Sequence, residues 1–296
     1  MPASAPRPPP REEPRDGLQN LVLVVLDSCR WDTWQRAIDG GAAPHLARLG
    51  RGERRYSYAS WTAPSHYNLL TGLLPHRSPA GVFASEVYKE EYLAYSKRLG
   101  TEVEFKQLLP GLWLPGFLQS LGYETSARVS LPVLNPRTGI NRDFDSYRLM
   151  ESHNDFGAIL DEVRFGADRP GFWMLNVGET HYPYVAAGED ASELPHISGV
   201  HGVAKRLGQG EGPVSAAEAP DFFEGDSLQR LHDKQVATLR GLDRSFERLF
   251  DEVPKDTWVI VTADHGELFG EGGYFGHGPI AHNKVFEVPF VEGKVR

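Results

Sequence analysis

Two short apolar runs, each cut off by an aspartate, constrain this chain most. Residues 20–26 read NLVLVVL and residues 257–262 read TWVIVT. Both are too short for buried helices and too unbroken for a strand with one wet face, so each is expected as a strand buried on both faces of a parallel sheet. The first ends at Asp27 and the second, after Ala263, at Asp264-His265. Between them helix and strand patterns alternate. A short helix over 115–122 stopped by Gly122 leads to a strand over 123–129; a helical stretch over 154–163 leads to a strand over 172–177 that ends at Gly178-Glu179-Thr180-His181. One amphipathic helix is expected from Ser227 to Phe250, before Pro254, and a last short strand over Val288–Val291. This order predicts an α/β fold, a mostly parallel central sheet with helices on both faces. Open sheets of this kind collect ligands at the carboxyl ends of their strands, so Asp27 and Asp264 are expected to converge.

With 296 residues, 40% of them hydrophobic, the chain can bury one large core. Neither an internal repeat nor a second domain is visible. Residues 1–17, rich in proline and charge, are expected to be a disordered tail before a single domain over 18–296. Residues 186–226 carry no clean period and are expected as an inserted loop or lid; with 78–112 they are expected to line or cover the site. A net charge of −9 without a long basic run argues against nucleic acid and against an anionic membrane surface as partners. No apolar run approaches the roughly 20 residues that span a bilayer, and the N-terminus lacks the apolar segment of a signal peptide. The single cysteine, Cys29, excludes an internal disulfide and a multi-cysteine zinc site and fits a reducing compartment. The expectation is a cytoplasmic protein whose partner is a small anionic molecule; the oligomeric state is left open.

The segment SWTAPSHYNLLTG, residues 60–72, carries a second signal. Thr62-Ala-Pro64-Ser65 begins a helix, with hydroxyls placed to cap its free N–H groups. Taken alone this reads as a cap, but a helix N-terminus also favours anions, so the same geometry suits Thr62 as a nucleophile toward a phosphoryl or sulfuryl group. Asp27, Asp264, His265 and this hydroxyl form an oxygen and nitrogen donor set for a divalent metal, Zn or Mn first and Mg or Ca next. His181 and His277 lie in loops where an imidazole can bind substrate oxygens, protonate a leaving group or hold a second metal. His66, His282 and Lys284 are weaker candidates for substrate contact. Taken singly, a turn-capping aspartate, a surface histidine and a solvated lysine are the commoner states; the set taken together points to a site.

The motifs LVLVVLDSCRWD, SWTAPSHYNLLTGLLPHR, NVGETHYPY and TADHGELFGEGGYFGHG followed by KVFEVPFV resemble, in this order over about residues 20–292, those of the alkaline phosphatase superfamily, closest to its sulfatase-like hydrolases and transferases. The resemblance implies an alkaline-phosphatase-like fold in which Thr62 is the nucleophile, Asp27, Asp264 and His265 bind a metal beside it, and His181 and His277 contact the transferred group or a second metal. Thr62 stands where sulfatases carry the cysteine or serine that becomes formylglycine, which a threonine cannot form. Ser28 replaces a second aspartate, and His66 replaces an arginine. Glu179-Thr-His181 stands where two-zinc phosphodiesterases have Asp-x-x-x-His, which leaves a second metal site open. The typical C-terminal subdomain of sulfatases is expected to be missing. The function expected is metal-dependent hydrolysis of a small phosphoric mono- or diester through a covalent threonine intermediate. The alternatives are a phospho- or sulfo-group transferase or sulfatase-like biosynthetic enzyme on the same site, and a non-catalytic metal-binding scaffold.

Overall fold

The computed structural model of the chain describes residues 17–77, 84–103, 113–196, 203–205, 220–223, 226–278 and 280–295. The expected tail, apart from Gly17, much of 186–226 and part of 78–112 lie outside the described residues. In chain order the elements are β1 (Leu21–Leu26), α1 (Trp31–Asp39), β2 (Glu53–Tyr56), α2 (Thr62–Leu70), α3 (Ala84–Leu99), α4 (Leu114–Ser120), β3 (Glu124–Val129), β4 (Ser146–Leu149), α5 (Phe156–Leu160), β5 (Gly171–Val177), β6 (Val203–Lys205), α6 (Ser227–Gly241), α7 (Asp243–Glu252), β7 (Trp258–Ala263), β8 (Leu268–Phe269), β9 (Tyr274–Gly276), α8 (Asn283–Phe286) and β10 (Glu287–Lys294).

Seven strands form one sheet in the order β2-β10-β7-β1-β5-β3-β4. From β7 to β4 all neighbours are parallel; β10 runs antiparallel to β7 and β2 and closes one edge. The two runs that dominate the sequence, β1 and β7, lie side by side in the middle, every residue of both buried. Alternate side chains of β1 supply opposite cores. Val22, Val24 and Leu26 pack with Trp34, Phe246 and Phe250 of α1 and α7. Leu21, Leu23 and Val25 pack with Leu69, Tyr95 and Leu118 of α2, α3 and α4. Each such fully buried Leu or Val contributes roughly 1.5–3 kcal/mol of transfer free energy. Helices therefore cover both faces, and ligand chemistry is confined to the sheet's ends. The fold is the alkaline-phosphatase-like α/β architecture.

Three local expectations are corrected. The helix expected over 227–250 is two helices, α6 and α7, meeting at Leu242. Gly241 weakens helix at the junction by about 1 kcal/mol relative to alanine, and the Asp243 carboxylate accepts from the backbone N–H groups of His45 and Leu46, at 3.2 and 2.8 Å, fixing the start of α7. The helix expected over 154–163 is shortened to α5, because Asp155 leaves helical geometry and caps it through the Ala158 N–H at 2.8 Å. Within the expected loop at 186–226, residues 203–205 form β6, which joins β9 and β8 in a small antiparallel sheet with Val203 opposite Gly276. Among the described residues no helix is long and apolar enough to cross a membrane.

Candidate active site

The parallel register places Leu26 opposite both Val177 and Ala263. The next residues, Asp27, Gly178 and Asp264, therefore leave the sheet side by side at its carboxyl end. Two glycines let the chain turn closely there. A Cβ on Gly178 would stand 1.9 Å from the His153 carbonyl oxygen, and one on Gly266 would stand 2.1 Å from that of Lys284. Ser28 takes a left-handed conformation, φ 60°, uncommon outside glycine and asparagine. This turns its N–H onto Asp264 Oδ1 at 3.1 Å and its hydroxyl onto Asp27 Oδ1 at 3.3 Å. Ser28, which stands where the resemblance has a second aspartate, thus bonds to both carboxylates.

Thr62 meets these groups from α2. It is the first residue of the helix, and Trp61, the cap position, makes no side-chain capping bond. The capping role expected for the hydroxyls is thus corrected. Ser65 Oγ donates to the Ala59 carbonyl, and Thr62 Oγ1 points out of the helix, 3.5 Å from Asp27 Oδ1 and 3.3 Å from His265 Nε2. Asp27, Asp264 and His265 each offer a ligand atom, all within 4.8 Å of one another and all buried.

The electrostatics of this cluster are unusual for a protein interior. Burial opposes the Asp27 charge, but the neighbouring His181 and the hydrogen bond from the Asn176 amide outweigh it and hold the carboxyl below its ordinary value. Asp264 is pushed well above the carboxylate range, by burial first and by the Asp27 charge second. Its Oδ2 is buried without a hydrogen bond. Burial, then the neighbouring His277, lower His265 far below the ordinary histidine value and keep it neutral. His265 Nδ1 donates to the Gly266 carbonyl at 2.9 Å, so the lone pair is on Nε2, which faces Thr62 and Asp264 Oδ2, the latter at 3.3 Å. A neutral imidazole, two carboxylates pressed together and an orphaned carboxylate oxygen suit a divalent cation, which would supply the charge this pocket lacks.

Of the remaining candidates, His277 and His181 are assembled with the cluster. The His277 ring centre lies 4.2 Å from that of His265 and 5.4 Å from that of His181. His66 is also beside it, but fully buried and engaged at both nitrogens: Nδ1 donates to the Thr62 carbonyl at 2.8 Å and Nε2 accepts from Asn176 Nδ2 at 3.3 Å. With the ring fully buried and both nitrogens occupied, the substrate contact expected of His66 is corrected. Lys284 is directed elsewhere, its Nζ 2.8 Å from Asp32 Oδ2, and His282 caps α8 by accepting from the Lys284 N–H at 3.1 Å.

Sequence reasoning missed the residues behind the cluster. Asn176, the one polar residue in GFWMLNV, donates to Asp27 Oδ2 at 3.0 Å and accepts from the Ser130 and Leu131 N–H groups at 3.0 and 3.2 Å. An amide in an otherwise apolar central strand was the available signal. Thr180 Oγ1 donates to the Asp27 carbonyl at 2.7 Å, and Ser57 Oγ to that of Asp264. Glu267 accepts from His277 Nδ1 at 3.0 Å and from the Tyr184 hydroxyl. These partners come from separate loops, so spacing alone could not pair them.

Comparison with known proteins places the chain in a family and supports its fold. The family described as Sulfatase matches residues 19–291. No curated protein matches the chain. Among solved structures, the soluble domain of lipooligosaccharide phosphoethanolamine transferase A from Neisseria meningitidis is similar at 15% identity and a TM-score of 0.54, over 97% of this chain and 79% of that one. The chain spans 49% of the integral membrane form of that protein, at 18% identity, a TM-score of 0.55 and 97% coverage of its own length. The phosphonate monoester hydrolase of Silicibacter pomeroyi is similar at 17% identity and a TM-score of 0.55, over 93% and 68% of the two chains. BT4656, solved with its substrate D-glucosamine-2-N,6-O-disulfate, is similar at 15% identity and a TM-score of 0.56, over 93% and 71%. At these identities the likeness speaks for the fold.

Proposed function

The chain belongs to the sulfatase family, and from that premise we propose that it is a metal-dependent enzyme acting on a small phosphoric ester, with Thr62 as nucleophile. The observation that carries this reading is the position of Thr62 Oγ1, free of the helix cap and 3.5 and 3.3 Å from Asp27 Oδ1 and His265 Nε2. Asp27, Asp264 and His265 together with Thr62 would hold the metal, and their mixed donors suit Zn or Mn, then Mg or Ca. A divalent ion there supplies Lewis-acid chemistry, easing ionisation of a hydroxyl and drawing charge from a non-bridging ester oxygen.

The protein's own groups do the rest. The Thr62 proton moves toward Asp27 Oδ1, and Oγ1 attacks phosphorus in line. The ester P–O bond breaks with its electron pair on the departing oxygen, leaving a phosphothreonine. Water then attacks phosphorus, the Oγ1–P bond breaks with its electron pair on Oγ1, and Thr62 regains its proton as the phosphate leaves. His277 and His181, whose rings stand against each other beside the cluster, serve the leaving oxygen and the non-bridging oxygens. His66 orients Thr62 through its main-chain carbonyl, a positioning role in place of direct substrate contact. Interception of the intermediate by an alcohol would make the enzyme a transferase, and a sulfuric ester is the competing substrate class. The test is turnover of nitrophenyl phosphate mono- and diesters, phosphonates and sulfates with each of the four metals, with and without an added alcohol. Phosphoester turnover that depends on the metal supports the reading. Sulfate turnover alone redirects it, uptake of a divalent ion without turnover favours the metal-binding scaffold, and failure to take up any divalent ion contradicts the reading.

A further inference from the structure

We propose that Glu267 and Tyr184 act as positioning residues for His277, fixing which of its nitrogens faces the ester. This rests on the reading of the site just given and assigns the leaving-group side of it.

His277 follows β9, and its Nδ1 lies 3.0 Å from Glu267 Oε1. The second oxygen of the same carboxylate accepts from the Tyr184 hydroxyl. All three residues are buried, Glu267 at 1% and Tyr184 at 0% exposure, so the contacts are not the loose pairing of a surface ion pair. Each partner is held in turn. Thr238 Oγ1 donates to the Tyr184 carbonyl, Arg30 Nη1 donates to the Glu267 carbonyl at 3.2 Å, and the Tyr184 ring packs against Phe269 at 5.5 Å between centres.

A carboxylate only accepts hydrogen bonds, so the imidazole nitrogen against it must carry a proton. Glu267 therefore keeps a hydrogen on His277 Nδ1. Nε2, across the ring, has no hydrogen bond among the described residues and is left to exchange a proton with the substrate. The His277 ring centre stands 4.2 Å from that of His265, whose Nε2 is 3.3 Å from Thr62 Oγ1, so the ring lies beside the Thr62 cluster. When the ester bond breaks, the electron pair stays on the departing oxygen, which takes a proton that Nε2 has gained; Nε2 then recovers one from the water that attacks phosphorus, while Nδ1 keeps its own throughout. Tyr184 fixes the carboxylate rotamer that makes this possible. Glu267 and Tyr184 touch no substrate; they act through His277.

Two measurements on the full chain test the assignment. The first needs no turnover: nitrogen-15 NMR of histidine-labelled protein, with the His277 signals identified by their loss in His277→Gln. A protonated Nδ1 in the wild type, with a population carrying the neutral proton on Nε2 in Glu267→Ala, is expected. A wild-type His277 that is neutral and protonated on Nε2 overturns the assignment, whatever the enzyme's activity. The second compares a nitrophenyl phosphoester, whose leaving group needs no proton, with an alkyl phosphoester, whose leaving group does. Glu267→Gln and Tyr184→Phe should lose kcat on the alkyl ester at least about tenfold more than on the nitrophenyl ester, since a positioned acid contributes about 10²–10⁴-fold. Equal losses on both esters, as from a purely structural role, would contradict it. If neither ester is turned over, the proposed activity fails while the tautomer measurement still decides this inference.

Discussion

The Asn176 side chain joins Asp27 to the neighbouring strand: its amide nitrogen lies 3.0 Å from Asp27 Oδ2 while its oxygen accepts two backbone N–H groups, those of Ser130 and Leu131. The aspartate is thereby aimed from inside the sheet before anything enters the pocket. Asn176→Ala leaves those two N–H groups and one carboxylate oxygen without partners. Buried unsatisfied groups cost about 1–3 kcal/mol each, partly relieved by relaxation, so a loss of about 2–4 kcal/mol is expected in urea unfolding. Asn176→Ala within 0.5 kcal/mol of wild type, a margin typical of surface substitutions, would show that about nothing depends on this bridge.

Metal binding should be visible as stability. Asp264 offers a buried oxygen with no hydrogen bond, so an ion that binds the folded chain should raise Tm on addition of Zn, by an amount corresponding to about 2.7 kcal/mol at a hundredfold excess over Kd. Asp264→Asn removes the charge at nearly constant shape and should abolish that rise, with metal content by mass spectrometry falling in parallel. An unchanged rise in the variant would place the ion elsewhere.

Glu179 provides a pH dependence away from the metal ligands. Burial pushes its carboxyl up to about 7, against the Phe156 N–H that it accepts at 2.6 Å, and its Oε2 has no hydrogen bond. The folded state therefore binds this proton more tightly than the unfolded chain does. Its contribution is fully favourable below about pH 4.5 and is lost as the pH rises through about 7. Between pH 5 and pH 8 wild type should lose up to about 3 kcal/mol relative to Glu179→Gln. Parallel stability curves for the two proteins would refute the assignment.

Close backbone approach at the site gives a steric prediction. A Cβ on Gly266 would stand 2.1 Å from the Lys284 carbonyl, which backbone cannot yield cheaply. Gly266→Ala is expected to cost about 3 kcal/mol or more by overpacking, read as a fall in Tm. A Tm equal to wild type would mean that the 266 and 284 segments separate freely.

The sheet and the convergence of Asp27 with Asp264 were legible because both rest on local patterns: an unbroken apolar strand and the residue that ends it. The parallel register then follows from the alternation of helix and strand. Less legible was the direction of side chains whose backbone position was right. Thr62 could be placed at a helix start, but whether its hydroxyl caps the helix or faces inward depends on Asp27 and His265, 35 and 203 residues away in sequence and 3.5 and 3.3 Å away in the fold. Lys284 and His66 looked available because their charge and chemistry suit an anion. Their partners, Asp32 and Asn176, are set by packing that no spacing reveals. The break at Leu242 was missed because the apolar period continues across it, while Gly241 and the Asp243 contacts to the 45–46 backbone end the first helix.

The most direct test is mass spectrometry of the protein quenched during turnover of a phosphoester, with Thr62→Ala in parallel. A gain of one phosphoryl group on Thr62 is expected in the wild type, together with loss of turnover in Thr62→Ala at unchanged folding and with metal still held by Asp27, Asp264 and His265. Turnover in the metal-loaded Thr62→Ala protein at the wild-type rate would contradict a threonine nucleophile.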